Sequence, residues 1–209
     1  MDSSPISARF AELRARSQVD SVKAMIHVMS LLSAVPHYEI RLGIEADIEA
    51  VSALCTSHYH SELTSQDPGS ADRLLRELTG IKDGTTILVV ARADKIIIGA
   101  SLAVMNRDFS RYEGGHIRNT GYLSKNVVHK DFRNLGIGRK LVEARLEELK
   151  NRGAHVAYSS HHAENIASAK ALDACGFEYV ATFADPEKRP TGCGMTVVRR
   201  LELSQVLAT

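Results

Sequence analysis

From residue 37 onward, short β-branched runs alternate with longer segments in which apolar residues recur at helical spacing. Tyr38, Ile40 and Leu42 alternate with polar residues and predict a first strand. Further strands are predicted at 86–91, 96–104, 122–128, 155–159, 177–183 and 195–203, and helices at 44–60, 71–78, 136–152 and 165–174. This order predicts one α/β domain with a mixed sheet of about seven strands and helices on both faces.

The first 36 residues show a different pattern. Residues 6–35 have helical spacing, with an apolar stripe that includes Val22, Met25 and Met29, and Pro36 ends the pattern. Because the apolar surface is broad, it needs a partner, which is either the main domain or a second subunit in a homodimer. We therefore divide the chain into an N-terminal helical extension, 1–36, and a domain, 37–209.

Composition narrows the classes of partner. The net charge is +1, with 44% hydrophobic and 24% charged residues, so we expect no nucleic-acid partner. Three widely spaced cysteines fit neither a disulfide framework nor a paired zinc motif, so we expect free thiols and no metal. The most apolar run, 22–35, is interrupted by polar residues and too short to span a bilayer, which favours a cytoplasmic protein without membrane contact.

The segment 127–141, VVHKDFRNLGIGRKL, carries the clearest chemical signal. A strand runs into a turn containing Arg133, Gly136 and Gly138, and a helix follows. Such a turn presents backbone N–H groups and the positive end of a helix dipole to a phosphate. A P-loop is excluded because its lysine and serine are missing, and a dinucleotide fingerprint is weak because its third glycine is missing. A plain strand–turn–helix connection remains an alternative.

The string R-x-x-G-x-G in this segment resembles the acetyl-CoA pyrophosphate loop of the GNAT (Gcn5-related N-acetyltransferase) superfamily. The downstream string NIASAKALDACGF, 165–177, is similar to the second cofactor-contacting segment of that family. The resemblance covers about four-fifths of the chain and leaves out the N-terminal extension. It implies the GNAT acyltransferase fold, acetyl-CoA as co-substrate and N-acetyltransferase activity.

The resemblance also implies positions for the cofactor. Its pantetheine arm would lie in a gap between the fourth and fifth strands and pair with the main chain of Asn126, Val127 and Val128. Asn165 would contact the same arm. The pyrophosphate would rest on the amides of the turn, which comprises Arg133, Asn134, Leu135, Gly136, Ile137, Gly138 and Arg139.

Acyl transfer to an amine requires a neutral amine, a stabilised oxyanion and a proton for the leaving thiolate. The resemblance implies the Val128 N–H as oxyanion donor. Leu172 occupies the position of the family's tyrosine acid. Ser160 stands where the family sometimes has a glutamate, and we include it among the candidate catalytic residues. His162, expected to follow the fifth strand, is a candidate base, and deprotonation through water is the alternative. Weaker candidates are His129, Tyr158, His161, Cys175 and Tyr179.

Two loops, 61–81 and 184–194, are expected to build the acceptor site. A basic loop, 106–121, is either a binding site for an anionic group of the substrate or ordinary surface. The sequence predicts transfer of acetyl from acetyl-CoA to a primary amine of a small molecule or protein. Direct attack in a ternary complex is expected, because no cysteine or serine sits in a recognisable nucleophile–base arrangement. The alternative is a non-catalytic CoA-binding sensor or interaction module of the same fold.

Overall fold

The fold is described from a computed structural model, which covers residues 37–58, 70–113 and 119–203. The predicted N-terminal extension and much of the predicted 61–81 loop lie outside the described residues, as does part of the basic loop.

Seven strands form one sheet in the order β1-β2-β3-β4-β5-β7-β6. Neighbours pair antiparallel except β4 and β5, which are parallel, so the predicted mixed sheet is confirmed. The strands are β1 Glu39–Leu42, β2 Thr86–Ala93, β3 Ile96–Met105, β4 Thr120–Val128, β5 Val156–His162, β6 Glu178–Ala184 and β7 Met195–Glu202.

The described helices lie on both faces of this sheet, as predicted. They are α1 Ile48–His58, α2 Ser70–Thr79, the single turn α3 Ser110–Glu113, α4 Ile137–Asn151 and α5 Ile166–Asp173. The alternation of β2 shows how the faces are divided, since Ile87 packs with the α4 side of the core and Leu88 with the α1 and α2 side. No described helix has both the length and the apolar character needed to cross a membrane.

A gap opens between β4 and β5. Their pairing covers Thr120–Leu123 against Val156–Ser159. From there β4 runs on to Val128 beside β3, while β5 runs on to His162 beside β7. The two strands therefore diverge, and the sheet carries a cleft at the carboxyl ends of its parallel pair.

A β-bulge at Ser124 marks the start of this gap. Leu102 pairs with Lys125 and Ala103 with Leu123, so Ser124 is the extra residue of β4. Arg145 of α4 braces the bulge from beneath, because its Nη1 donates to the carbonyls of Leu102 at 2.9 Å and Lys125 at 2.8 Å. Only 1% of Arg145 is exposed, and burial lowers the pKa of its guanidinium to about 9.

Most predicted element boundaries agree with the structure to within a few residues. Gly153, at φ +80°, follows α4 in the left-handed conformation with which many helices end. One boundary is wrong, since β5 continues through His161 and His162, which were expected to follow it. The extension occurs because both residues pair with β7, opposite Val197 and Thr196.

Candidate active site

The glycine-containing turn has the geometry of an anion site. Gly136 adopts φ +76° at the N-cap of α4, a conformation that a side chain disfavours. The first helical bond runs from the Lys140 N–H to the Gly136 carbonyl at 3.1 Å. The N–H groups of Ile137, Gly138 and Arg139 therefore have no partner within the helix and remain available to a phosphate.

Gly138 joins this turn to the gap. A Cβ built there would lie 3.8 Å from both Asn126 Nδ2 and Val128 Cγ2, so it would enter the space between α4 and the end of β4. Asn126 Nδ2 donates to the Gly138 carbonyl at 3.1 Å and fixes that spacing. Gly138 lies inside the helix, where alanine would be preferred by about 1 kcal/mol. Its missing side chain is therefore best explained by the open space that it preserves.

The main chain of β4 alternates between its two neighbours. The His129 N–H donates to Ile98 of β3 at 2.8 Å, so His129 and Val127 direct their main-chain groups toward β3. Asn126 and Val128 consequently direct theirs into the gap. The structure thus brings two of the three predicted pantetheine contacts to the gap, whereas Val127 turns away from it and buries its side chain under α1 and α2.

The remaining predicted cofactor residues lie in or next to the turn, except Asn165, which is on a different element. Arg133 is exposed and its Nε donates to the Val128 carbonyl at 3.3 Å. Arg139 pairs with Glu143 at 2.7 Å on the surface of α4. Asn165 caps α5, with its Oδ1 accepting from the Ser168 N–H at 3.0 Å. The exposed Asn134, at φ +63°, and the half-buried Leu135 complete the turn.

The two histidines of β5 are held by other groups. His162 is 2% exposed, its Nδ1 accepts from the Glu164 N–H at 3.1 Å, and its Nε2 donates to the Thr191 carbonyl at 2.9 Å. His161 lies within 2.8 Å of the His162 carbonyl through Nδ1, and its Nε2 accepts from Arg199 at 3.2 Å. Burial lowers the pKa of His161. Both ring nitrogens of each residue are therefore occupied, which fits a structural role better than that of a base.

His162, Glu164 and Cys193 place one potential metal-ligating atom each within 4.8 Å of one another, in the part of the chain that the structure covers. His162 has no lone pair to spare, because its Nδ1 already accepts from the main chain and its Nε2 bears the proton. These three residues do not fit a metal site.

Ser160, one of the predicted catalytic residues, belongs to a polar group at the start of the gap. Its Oγ lies 2.8 Å from the Tyr122 hydroxyl and accepts from Lys188 Nζ at 3.3 Å. Burial acts to raise the pKa of Tyr122, but Lys188, the Ser160 hydrogen bond and Arg107 act more strongly in the other direction and set it below its usual value. We call Tyr122, Ser160 and Lys188 the hydroxyl–lysine cluster.

A carboxylate that sequence reasoning missed lies at the same position along β4. Glu77, on α2, accepts a hydrogen bond from the bulge residue Ser124 at 2.8 Å. It is half-buried and close enough to Tyr122 to influence that hydroxyl's pKa. In the sequence Glu77 is one polar position of an amphipathic helix, so only the tertiary packing identifies it.

The other candidates lie away from the gap or have structural roles. Leu172 is 5% exposed within the core under α4, so its position adds no acid to the site. Tyr158 is fully buried and stacks on Phe109 at 4.2 Å. Tyr179 is on the edge strand β6, and His129 caps the short turn after β4. Cys175 is half-buried beside the core, where burial raises the pKa of its thiol.

Comparison with known proteins agrees with this geometry. A sequence model described as the acetyltransferase (GNAT) family matches residues 53–177. No curated protein gives a significant match to the chain.

Solved structures give the fold. Ribosomal-protein-alanine N-acetyltransferase from Brucella melitensis superposes with a TM-score of 0.65 at 23% identity, covering 79% of this chain and 99% of its own. The putative acetyltransferase yncA from Salmonella typhimurium, with its cofactor acetyl-CoA, superposes with a TM-score of 0.63 at 21% identity. The match covers 83% of this chain and 98% of that protein. Phosphinothricin acetyltransferase from Sinorhizobium meliloti, in complex with acetyl-CoA, superposes with a TM-score of 0.66 at 16% identity. The match covers 82% of this chain and 91% of that protein.

The family match spans more than half of the sequence and includes the gap, the glycine turn and α5, and so the chain belongs to the GNAT family of acetyltransferases.

Proposed function

We propose that this protein is an N-acetyltransferase that moves acetyl from acetyl-CoA to a primary amine by direct attack in a ternary complex. The observation that carries the proposal is the continuity of two features. The main-chain groups of Asn126 and Val128 face a gap in the sheet, and the free amides of the Gly136 turn begin where that gap ends. An extended arm ending in a diphosphate fits this combination.

Different residues around the gap bind different parts of acetyl-CoA. The amides of Ile137, Gly138 and Arg139 hold the diphosphate, and Asn126 and Val128 pair with the arm as a missing strand would. When bound, acetyl-CoA supplies the activated thioester. The resemblance implies the Val128 N–H as oxyanion donor, but Val128 lies at the diphosphate end of the gap, four residues from Ser124 along β4. We therefore assign this role to the gap-facing N–H of Asn126, which is nearer to Glu77 and Ser160.

Proton transfer is assigned to the groups at the start of the gap. Glu77 is a carboxylate fixed by Ser124, and it can accept a proton from the acceptor ammonium directly or through a water. Ser160 can pass a proton to the leaving thiolate and regain one from the Tyr122 hydroxyl, which lies 2.8 Å from its Oγ, while Lys188 also donates to that Oγ. Both roles are filled without His162, whose nitrogens are occupied.

Two measurements test the proposal. Calorimetry should detect binding of acetyl-CoA, and thiol release should rise when a suitable amine is added. Glu77→Gln keeps the shape of the side chain and should retain acetyl-CoA affinity while losing most of the amine-dependent release. Glu147→Gln, an exposed change on α4, is the matched control. Acetyl-CoA binding with no release across amino acids, polyamines, aminoglycosides and peptides would instead support the CoA-binding sensor, the alternative function.

We also propose a cytoplasmic homodimer assembled through the N-terminal extension. Deleting residues 1–35 should then halve the mass measured by light scattering and leave acetyl-CoA affinity unchanged. An unchanged mass together with lost acetyl-CoA binding would contradict this assignment.

A further inference from the structure

Three cations from two segments, the β3–β4 connection and the β6–β7 loop, meet around the hydroxyl–lysine cluster. The Arg107 guanidinium lies 4.2 Å above the centroid of the Tyr122 ring. Arg111 lies over two neighbouring rings, at 4.6 Å from Tyr112 and 5.4 Å from Phe183. Lys188 contacts Ser160 directly, as described above. The aromatic rings between them form one cluster, so the cations share one surface beside the gap.

These cations lack carboxylate partners among the described residues. No ion pair of Arg107, Arg111 or Lys188 occurs in residues 37–58, 70–113 or 119–203. The acidic neighbours have other contacts, since Asp185 accepts from Thr196 at 3.0 Å and Asp108 from the Ser110 N–H at 2.8 Å.

The charge balance at Tyr122 points the same way. Lys188 and Arg107 act on this hydroxyl as cations, and Glu77 acts on it as the opposing carboxylate. Burial raises the pKa of Tyr122, but the two cations and the Ser160 hydrogen bond together lower it below its usual value. A purely cationic acceptor, such as a polyamine, would therefore enter against the local potential. A molecule with an amine at one end and an anion at the other matches both the Glu77 side and the cationic side.

We propose that the acceptor carries, besides its primary amine, an anionic group that binds between Arg107 and Lys188. The class comprises amines with a carboxylate, phosphonate or phosphate group. Arginine and lysine bind these groups through charge-assisted hydrogen bonds, and the Tyr122 and Ser160 hydroxyls add neutral donors. The inference rests on the proposed function, because it names the substrate class of the same site.

Matched acceptor pairs test the inference. Amino acids are compared with their α-carboxamides, and phosphoethanolamine with ethanolamine, in calorimetric titrations of the CoA-bound protein and in thiol-release assays. We expect the anionic member of at least one pair to bind at least tenfold more tightly and to show the higher kcat/KM. The amino-acid comparison tests a carboxylate and the phosphoethanolamine comparison tests a phosphate, so the two comparisons show which anionic group the site binds. Equal binding of both members in every pair, or preferential use of spermidine, would overturn the inference.

Variants locate the effect. Arg107→Met should reduce the preference for the anionic member about tenfold, mainly through KM. Lys188→Met should reduce it to a similar extent and also lower kcat, because Lys188 contacts the proposed proton donor Ser160. Neither change should alter the affinity for acetyl-CoA. Lys95→Met removes the same charge from the distant β2–β3 turn and should keep the preference. Activity on neutral or cationic amines alone would refute the acceptor class while supporting the proposed function. Anion-selective binding without any acetyl transfer would refute the proposed function while supporting the site.

Discussion

Replacing Arg145 with methionine should separate the stability of the fold from the shape of the gap. The guanidinium is fully buried, so its charge carries a desolvation penalty. The fall of its pKa from 12.5 to about 9 corresponds to a penalty of about 5 kcal/mol. Its two short bonds to the carbonyls of Leu102 and Lys125 return about 1.5–3 kcal/mol each. These contributions nearly cancel, as they often do for buried charges that an apolar residue of similar length can replace.

We therefore expect Arg145→Met to change the free energy of unfolding by less than about 2 kcal/mol, a shift in Tm below roughly 8 °C for a domain of this size. Acetyl-CoA affinity should respond more strongly. Without the brace, the bulge at Ser124 and Lys125 becomes more mobile, and ordering about two residues costs about 2 kcal/mol or more on binding. This cost corresponds to an affinity loss of roughly 30-fold.

Differential scanning calorimetry and isothermal titration with acetyl-CoA measure the two quantities on the same sample. Lys150→Met, an exposed change on the same helix, is the control and should alter neither. Wild-type affinity in Arg145→Met would show that the brace does not shape the gap. A loss of more than about 15 °C in Tm would show that the energetic balance is wrong.

Three further predictions concern the turn, an ion pair and the thiols. Gly138→Leu should keep the wild-type Tm but abolish acetyl-CoA binding in calorimetry, and retained binding would refute the steric reasoning. Gly136→Ala should lower the free energy of unfolding, measured in urea, by about 1–2 kcal/mol because of the positive φ at this position. The hydrogen bonds from Arg41 hold the pKa of Asp47 below its usual value. The ion pair therefore contributes its full stability above about pH 4 and loses it as the pH falls through the folded-state pKa of Asp47. Asp47→Asn should weaken the decrease of Tm at acidic pH, and an unchanged decrease would contradict this. A thiol reagent should label the exposed Cys193 in the native protein and Cys55 only after unfolding, because burial raises the Cys55 pKa to about 12; rapid labelling of Cys55, checked by peptide mass spectrometry, would refute its burial.

The cofactor half of the candidate site could be proposed from the sequence because that half is local. The strand, the glycine turn and the helix are consecutive in the chain. The glycines at positions 136 and 138 by themselves indicate a turn with an unusual backbone conformation and open space beside it. The acceptor half was not predictable in this way. Glu77 and Lys188 come from segments far apart in the chain, and each looks like an ordinary surface charge until the sheet brings it to the gap.

The strand pattern also could not show the bulge or the end of β5. An extra residue at Ser124 leaves the alternation of β4 readable on both sides, so periodicity alone does not reveal it. The sequence predicts that His161 and His162 follow the strand, whereas their pairing with β7 continues the ladder. Tertiary pairing decided both features.

The short parallel pairing between β4 and β5 has a consequence for how the chain assembles. On one side of that seam, β1 to β4 follow one another in the sheet in sequence order, and α4 covers them with local connections. On the other side, β5, β7 and β6 form a separate antiparallel group. Because contacts between near neighbours form fastest, the first group can assemble early and the seam closes last. The four residue pairs of Thr120–Leu123 with Val156–Ser159 then form together with the core contacts that α4 and Tyr122 make to the second group. A ligand bound along the gap contacts both strand groups and therefore adds a further connection between them.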